Sequence, residues 1–187
     1  MIKPLLDRAV RDLHDLLPKI AALEPQAQQL SEAMLHCWNA GGKILLAGNG
    51  GSAADAMHFA EELTVRFMKN RKALPAVALC DPTVLTCAAN DFGFDAIFSR
   101  QIEALGKRGD VFIAFTTSGN SSNILRAIDA AKQQGLITAS FLGKDGGQCR
   151  GKCDIELLIP ANLPHRIQEG HKIVYHTICE WVDSKVE

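Results

Sequence analysis

Lys43-Ile44-Leu45-Leu46-Ala47-Gly48-Asn49-Gly50-Gly51-Ser52 is the stretch on which the fold turns. Its apolar run reads as a buried strand, the glycine cluster as a turn, and the helical spacing from there to about Met68 as a helix. The same grammar recurs. Residues 76–79 form a short strand before a helical stretch. Residues 110–115 lead through Thr116-Thr117-Ser118-Gly119-Asn120-Ser121 into a helix over 122–134, and 137–141 and 154–159 follow as strands. Residues 166 to about 184 close the chain as a helix, with Ile167, Ile173, Val174, Ile178, Trp181 and Val182 at helical spacing. Strands alternating with helices predict an α/β protein with a doubly wound parallel sheet. Upstream, residues 4–17 and 25–40 carry apolar residues at three- and four-residue steps. Two helices therefore precede the sheet, with Pro18 and Pro25 bracketing the break between them.

A length of 187 residues favours one domain over 1–187, and no linker, repeat or low-complexity stretch divides it. Twenty basic and 21 acidic residues give a net charge of −1, which argues against a disordered chain and against a strongly cationic nucleic-acid binder. The longest apolar stretches, 74–80 and 111–115, have strand length and fall short of the roughly 20 residues of a membrane span. The N-terminus lacks the pattern of a secretory signal, so a cytoplasmic protein is expected. Six cysteines are too sparse for a disulfide scaffold. Cys149 and Cys153 are close together, but no second Cys/His pair stands at a usual interval, so no structural metal is expected there.

In an open parallel sheet, ligands collect beyond the C-terminal ends of the strands, where the N–H groups opening the next helix favour anions. Two turns fit that need. In Gly48-Asn49-Gly50-Gly51-Ser52 the glycines permit close approach and Ser52 offers a hydroxyl; the 116–121 segment crowds four hydroxyls into six residues. Neither matches a P-loop or a full Gly-x-Gly-x-x-Gly fingerprint, which disfavours a nucleotide. The plainer reading makes Ser52 and Ser121 helix N-caps and the glycines simple turn residues.

His58 and Glu62, four apart on the helix after the glycine loop, share a face that Arg66 would continue by one turn. That face is either a site or a solvated stripe with a local Glu–Arg pair. On the last helix Gln168, Lys172 and His176 follow at four-residue steps with His171 to one side, which makes Gln168 and His176 possible co-liners of a cleft. Asn90-Asp91-Phe92-Gly93 reads as a polar turn.

Taken in order, Ala47-Gly48-Asn49-Gly50-Gly51-Ser52-Ala53-Ala54-Asp55-Ala56-Met57-His58-Phe59-Ala60-Glu61-Glu62-Leu63, Ala89-Asn90-Asp91-Phe92-Gly93-Phe94, Thr117-Ser118-Gly119-Asn120-Ser121, Gly143-Lys144-Asp145-Gly146-Gly147 and Arg166-Ile167-Gln168-Glu169 resemble the phosphoheptose isomerase family across almost the whole chain. The resemblance implies the SIS (sugar isomerase) fold, a five-stranded parallel sheet flanked by helices, assembled as a homotetramer in which residues 1–40 serve subunit packing. It implies conversion of sedoheptulose 7-phosphate to D-glycero-D-manno-heptose 7-phosphate through an enediol, the first step toward ADP-heptose and the lipopolysaccharide core.

On that resemblance, Ser52, Thr116, Ser118 and Ser121 bind phosphate, with threonine at 116 in place of the more common serine. Asn49, Gly50, Gly51, Arg66, Asn90, Asp91, Thr117 and Gln168 join them as substrate-binding positions. Glu62 and His176 match the acid/base pair. His58, Glu62, Gln168 and His176 match a site for one zinc ion per subunit. The residues at 70–75 and Pro164-His165 depart from the family pattern. A related SIS branch acts instead as a tetrameric scaffold that binds a replication initiator. It lacks the second glutamate of His-x3-Glu and the late histidine, and both are present here. Sugar-phosphate-sensing regulators of this fold carry a DNA-binding domain for which this chain has no room. Neither nucleic acid nor membrane is expected as a partner.

Overall fold

The computed structural model describes residues 1–186. Helices α1 (Lys3–Ala21) and α2 (Glu24–Asn39) lead into β1 (Ile44–Gly48), α3 (Gly51–Thr64), β2 (Ala76–Ala78), α4 (Pro82–Phe92), α5 (Ser99–Leu105), β3 (Val111–Thr116), α6 (Ser122–Gln133), β4 (Ile137–Gly143), β5 (Ile155–Ile159) and α7 (Pro164–Lys185). The strands form one sheet in the order β2-β1-β3-β4-β5, and every neighbouring pair is parallel.

Alternation along the strands divides the core into two layers. Ile44, Leu46, Val111, Ile113 and Phe115 face a layer filled by α1, α2, α3 and α7, through Leu16, Leu30, Met34, Phe59, Leu63, Tyr175 and Ile178. Leu45, Ala47, Phe112 and Ala114 face the other, filled by Ala88 of α4, Ile102 of α5 and Ile124, Ala127, Ile128 and Ala131 of α6. Both faces of β1 and β3 are covered, which is why these strands read as unbroken apolar runs. The order reverses between β1 and β3, so the crevice beyond their C-terminal ends is where such a sheet takes its ligand. The glycine loop follows β1 and the hydroxyl-rich loop follows β3.

The sequence reading needs correction at three places. Pro18 does not end α1; burial of Leu16 and Ile20 on either side carries the helix through it to Ala21. The helix after the glycine loop stops at Thr64 rather than Met68, because Arg71 takes the carbonyls of Glu62 (2.7 Å) and Leu63 (2.9 Å) that would otherwise extend it. Asn90, Asp91 and Phe92 are the last turn of α4. Asp81 starts that helix by accepting the N–H groups of Thr83 and Val84, and Gly93, at φ +85°, ends it.

His171 of α7 is fully buried beside the Phe115 and Phe141 rings, and its Nε2–H donates to the Leu142 carbonyl at 2.9 Å. Burial pushes its pKa from 6.5 down to about 4. The unfolded chain takes up this proton more readily than the folded one, so the stabilisation is complete above about pH 6.5 and is lost as pH falls toward 4. The expected loss is about 3 kcal/mol. Urea unfolding at pH 7 and pH 4.5 checks it: His171→Gln should flatten the dependence, and an equal slope in both proteins would remove His171 as its source.

Candidate functional site

The loop between β1 and α3 is shaped by glycine at two points. Gly50 stands at φ +56°, ψ −120°, outside the reach of other residues. At Gly51 a Cβ would lie 2.3 Å from Gln168 Nε2, so the Gln168 amide from α7 packs directly on the loop. The second loop is folded by its own hydroxyls: Thr116, the last residue of β3, accepts the N–H of Gly119 at 3.1 Å, and Ser118 accepts that of Asn120 at 3.2 Å. The two loops are joined by Asn49 and Asn123, whose side-chain amides exchange two hydrogen bonds of 2.9 Å.

Asn49, Ser52, Thr116, Thr117, Ser118 and Ser121 close around a cavity of about 70 Å³, small enough for a phosphate group rather than a whole sugar. The first turns of α3 and α6 both border it, so two helix N-termini favour an anion there. Ser121 is the N-cap residue of α6, as the plainer reading has it, but its side chain makes no capping bond; Ser52 lies inside α3, whose N-cap is Gly50, so both hydroxyls are left for a ligand. An apolar cleft of about 390 Å³, lined by Asn49, Gly50, Met57, Cys80 and Phe94 among others, adjoins the glycine loop.

Further along α3, His58 and Glu62 meet His176 of α7. One ligand atom from each lies within 4.8 Å of the others. His58 Nε2 is 3.0 Å from Glu62 Oε1, and the His58 and His176 ring centroids are 5.1 Å apart. His176 stacks on Phe67 at 5.7 Å, and its Nε2 is buried without a hydrogen-bond partner. Burial, and then the neighbouring His58, lower the His176 pKa from its ordinary value. Two imidazoles and a carboxyl group around an unsatisfied nitrogen can hold a divalent metal or move a proton. The ordering of the three follows from α3 packing on α7, with Phe59 stacked on Tyr175 at 5.2 Å.

Arg66 is not on the helical face that its spacing suggested; it lies beyond the end of α3 and is exposed. Asn90 and Asp91 bond to each other at 2.7 Å at the surface end of α4. Among the described residues none of these three hydrogen-bonds to the His58–Glu62–His176 group. The sequence reading missed Asn123, which fixes Asn49, and Tyr175, whose hydroxyl is 3.1 Å from His58 Nδ1. For Tyr175 the signal was there: it is the single tyrosine, adjacent to His176.

A parallel sheet with an anion-sized cavity at its switch point and a His/Glu/His cluster one helix away defines a protein built to hold and rework a phosphorylated small molecule. Residues 10–143 match the SIS domain family, a span that takes in both loops, His58 and Glu62. The phosphoheptose isomerase of Paramagnetospirillum magneticum is 51% identical over 165 residues, covering 88% of this chain and 86% of the relative. That of Vibrio cholerae is 42% identical over the full length of both. The solved phosphoheptose isomerase of Neisseria gonorrhoeae superposes with a TM-score of 0.90 at 37% identity, covering 98% of this chain and 100% of its own. The chain belongs to the phosphoheptose isomerase family of SIS-domain proteins and is an isomerase.

Proposed function

We propose that the protein interconverts a ketose phosphate and an aldose phosphate, the pair being sedoheptulose 7-phosphate and D-glycero-D-manno-heptose 7-phosphate, at the start of the route to ADP-heptose and lipopolysaccharide core. The observation that carries this reading is the meeting of His176 of α7 with His58 and Glu62 of α3, the helix that also opens the phosphate-sized cavity. Ser52, Thr116, Thr117, Ser118 and Ser121 hold the phosphate, with Asn49, Gly50, Gly51 and Gln168 shaping the adjoining wall. Arg66, Asn90 and Asp91 contribute from the rim of the site.

Isomerisation needs a base at carbon and a donor at oxygen. Glu62 removes a proton from C1 of the ketose; the C–H electrons form the C1–C2 double bond and the carbonyl oxygen at C2 takes a proton from the His176 N–H. The enediol then gives its O1 proton back to the His176 ring as Glu62 returns a proton to C2, leaving the aldehyde at C1 and both residues as they began. A neutral imidazole suits the donor role because it stabilises the enediol oxygen without fully transferring charge first. His58, Glu62 and His176, with Gln168, would hold a zinc ion, which when bound polarises the carbonyl and hydroxyl oxygens. A carboxylate held by a metal is a weaker base, so Glu62 works best where that contact is labile.

We read residues 1–187 as one cytoplasmic SIS domain that forms a homotetramer through residues 1–40. Exposed Leu5, Leu6, Val10 and Leu17 of α1 and an apolar hollow of about 510 Å³ between α1, α2 and α7 support that packing. The deciding test is turnover of sedoheptulose 7-phosphate followed by NMR, before and after chelation and zinc addition. Conversion that falls on chelation and returns with zinc is expected. Conversion indifferent to metal would remove zinc, and no conversion in either condition would sink the isomerase reading in favour of a binding scaffold.

A further inference from the structure

Behind His58 runs a chain of polar groups for which proton transfer at the sugar has no direct use. Tyr175 is fully buried on α7, and its hydroxyl is 3.1 Å from His58 Nδ1, while Nε2 of the same ring is 3.0 Å from Glu62 Oε1. One turn earlier, the Lys172 ammonium is 5.7 Å from the Tyr175 ring centroid and 3.4 Å from Oδ1 of Asp55, a buried carboxylate on α3. Burial raises the Tyr175 phenol, and the neighbouring Lys172 opposes it. Burial likewise raises Asp55, again opposed by Lys172.

The ends of this chain fix its direction. An ammonium only donates and a carboxylate only accepts, whereas a phenol and a neutral imidazole each do both. Glu62 therefore takes the Nε2–H of His58, and His58 Nδ1 accepts from the Tyr175 O–H.

We propose that Tyr175 is a positioning residue: its hydroxyl holds the His58 imidazole with Nδ1 toward α7 and Nε2 toward Glu62 and His176, while Lys172, paired with Asp55, packs beside the tyrosine. This deepens the isomerase reading and rests on it for its functional meaning. Were His58 to ligate a metal through Nε2, Nδ1 would carry the proton and the phenol oxygen would accept it, so one tyrosine would keep the ring in the same orientation in both states. Outer partners of this kind set the tautomer and aim of a histidine ligand. The assignment concerns a residue that touches neither substrate nor metal.

Tyr175→Phe keeps the ring packed on Phe59 and removes only the hydroxyl. In metal-free, full-length protein, imidazole 15N spectra should show His58 Nδ1 hydrogen-bonded in the wild type and moved to the position of an unbonded ring nitrogen in the variant. Zinc affinity, read by competition with a chromophoric chelator, should fall about 10–100-fold. For the sugar phosphate, kcat should fall while KM stays close to wild type. Lys172→Met, which leaves the Tyr175–His58 contact in place, should give smaller changes of the same sign and serves if Tyr175→Phe folds poorly. An unmoved Nδ1 signal, or zinc binding equal to wild type, would overturn the proposal. The spectrum is taken without substrate or metal, so an inactive or zinc-free wild type would count against the isomerase or zinc reading while the Nδ1 signal still decides the role of Tyr175.

Discussion

Glu62→Gln should lower kcat for sedoheptulose 7-phosphate by about 10²–10⁴-fold, the span that a positioned general base supplies. The substitution preserves shape, and the amide oxygen still accepts from His58 Nε2, which stands 3.0 Å from Oε1. What is lost is the ability to carry a proton between C1 and C2. KM should change little, because the proposed phosphate site is the cavity between the two loops, which Glu62 does not line. Initial rates by NMR, together with exchange of the C1 proton in deuterated water, check both halves. Exchange and turnover should fall together. If the Glu62→Gln protein still isomerises at about a tenth of the wild-type rate or better, Glu62 is not the base.

The second large effect is on stability. Arg71 and Asp183 form an ion pair whose side chains are only 1% and 3% exposed, with Nε 2.8 Å from Oδ1. Arg71 also caps the end of α3 through the Glu62 and Leu63 carbonyls, and Asp183 Oδ2 accepts the N–H groups of Met68 (2.8 Å) and Lys69 (3.2 Å). Burial alone would raise the Asp183 carboxyl; Arg71 and the two N–H groups outweigh it and hold the pKa below the usual carboxylate value. Arg71→Ala leaves a carboxylate without its counter-charge and takes a donor from each of two helix carbonyls, of which Leu63 keeps the Leu74 N–H at 3.2 Å. Removing one partner of a buried pair costs about 3–5 kcal/mol, which for a chain of this size lowers Tm by about 10 °C. Arg71→Lys should fall between, since an ammonium keeps the charge but loses the fork. Thermal unfolding monitored by circular dichroism decides it, and a Tm within about 2 °C of wild type in Arg71→Ala would refute the clamp.

These two residues also show where reading the sequence stopped. The strands, the glycine loop and the paired N-terminal helices were legible because each depends on a local pattern: apolar runs of strand length, helical spacing, and glycine where the chain must turn. His58 and Glu62 were legible for the same reason, as an i, i+4 pair on one helix. Arg66 was misplaced because α3 ends where Arg71 caps it, and Arg71 is itself fixed by Asp183, 112 residues away. Asn90 and Asp91 look like a turn until Asp81 is seen capping a helix that includes them. The Tyr175–His58 contact joins positions 117 apart, and no periodicity reaches that far.

Helix α3 has one further consequence. Ser52, at the anion cavity, and Glu62, at the acid/base cluster, lie on the same rigid rod ten residues apart. At ~1.5 Å of rise per residue their backbones are separated by about 15 Å, a gap that Glu62 shortens because helical side chains lean toward the N-terminus. On the proposed function, the rod would work as a gauge of carbon-chain length. A three-carbon sugar phosphate anchored at one end would leave its carbonyl short of the other, whereas a long, extended chain would reach both, so size would be measured by a span of backbone before any hydroxyl is inspected.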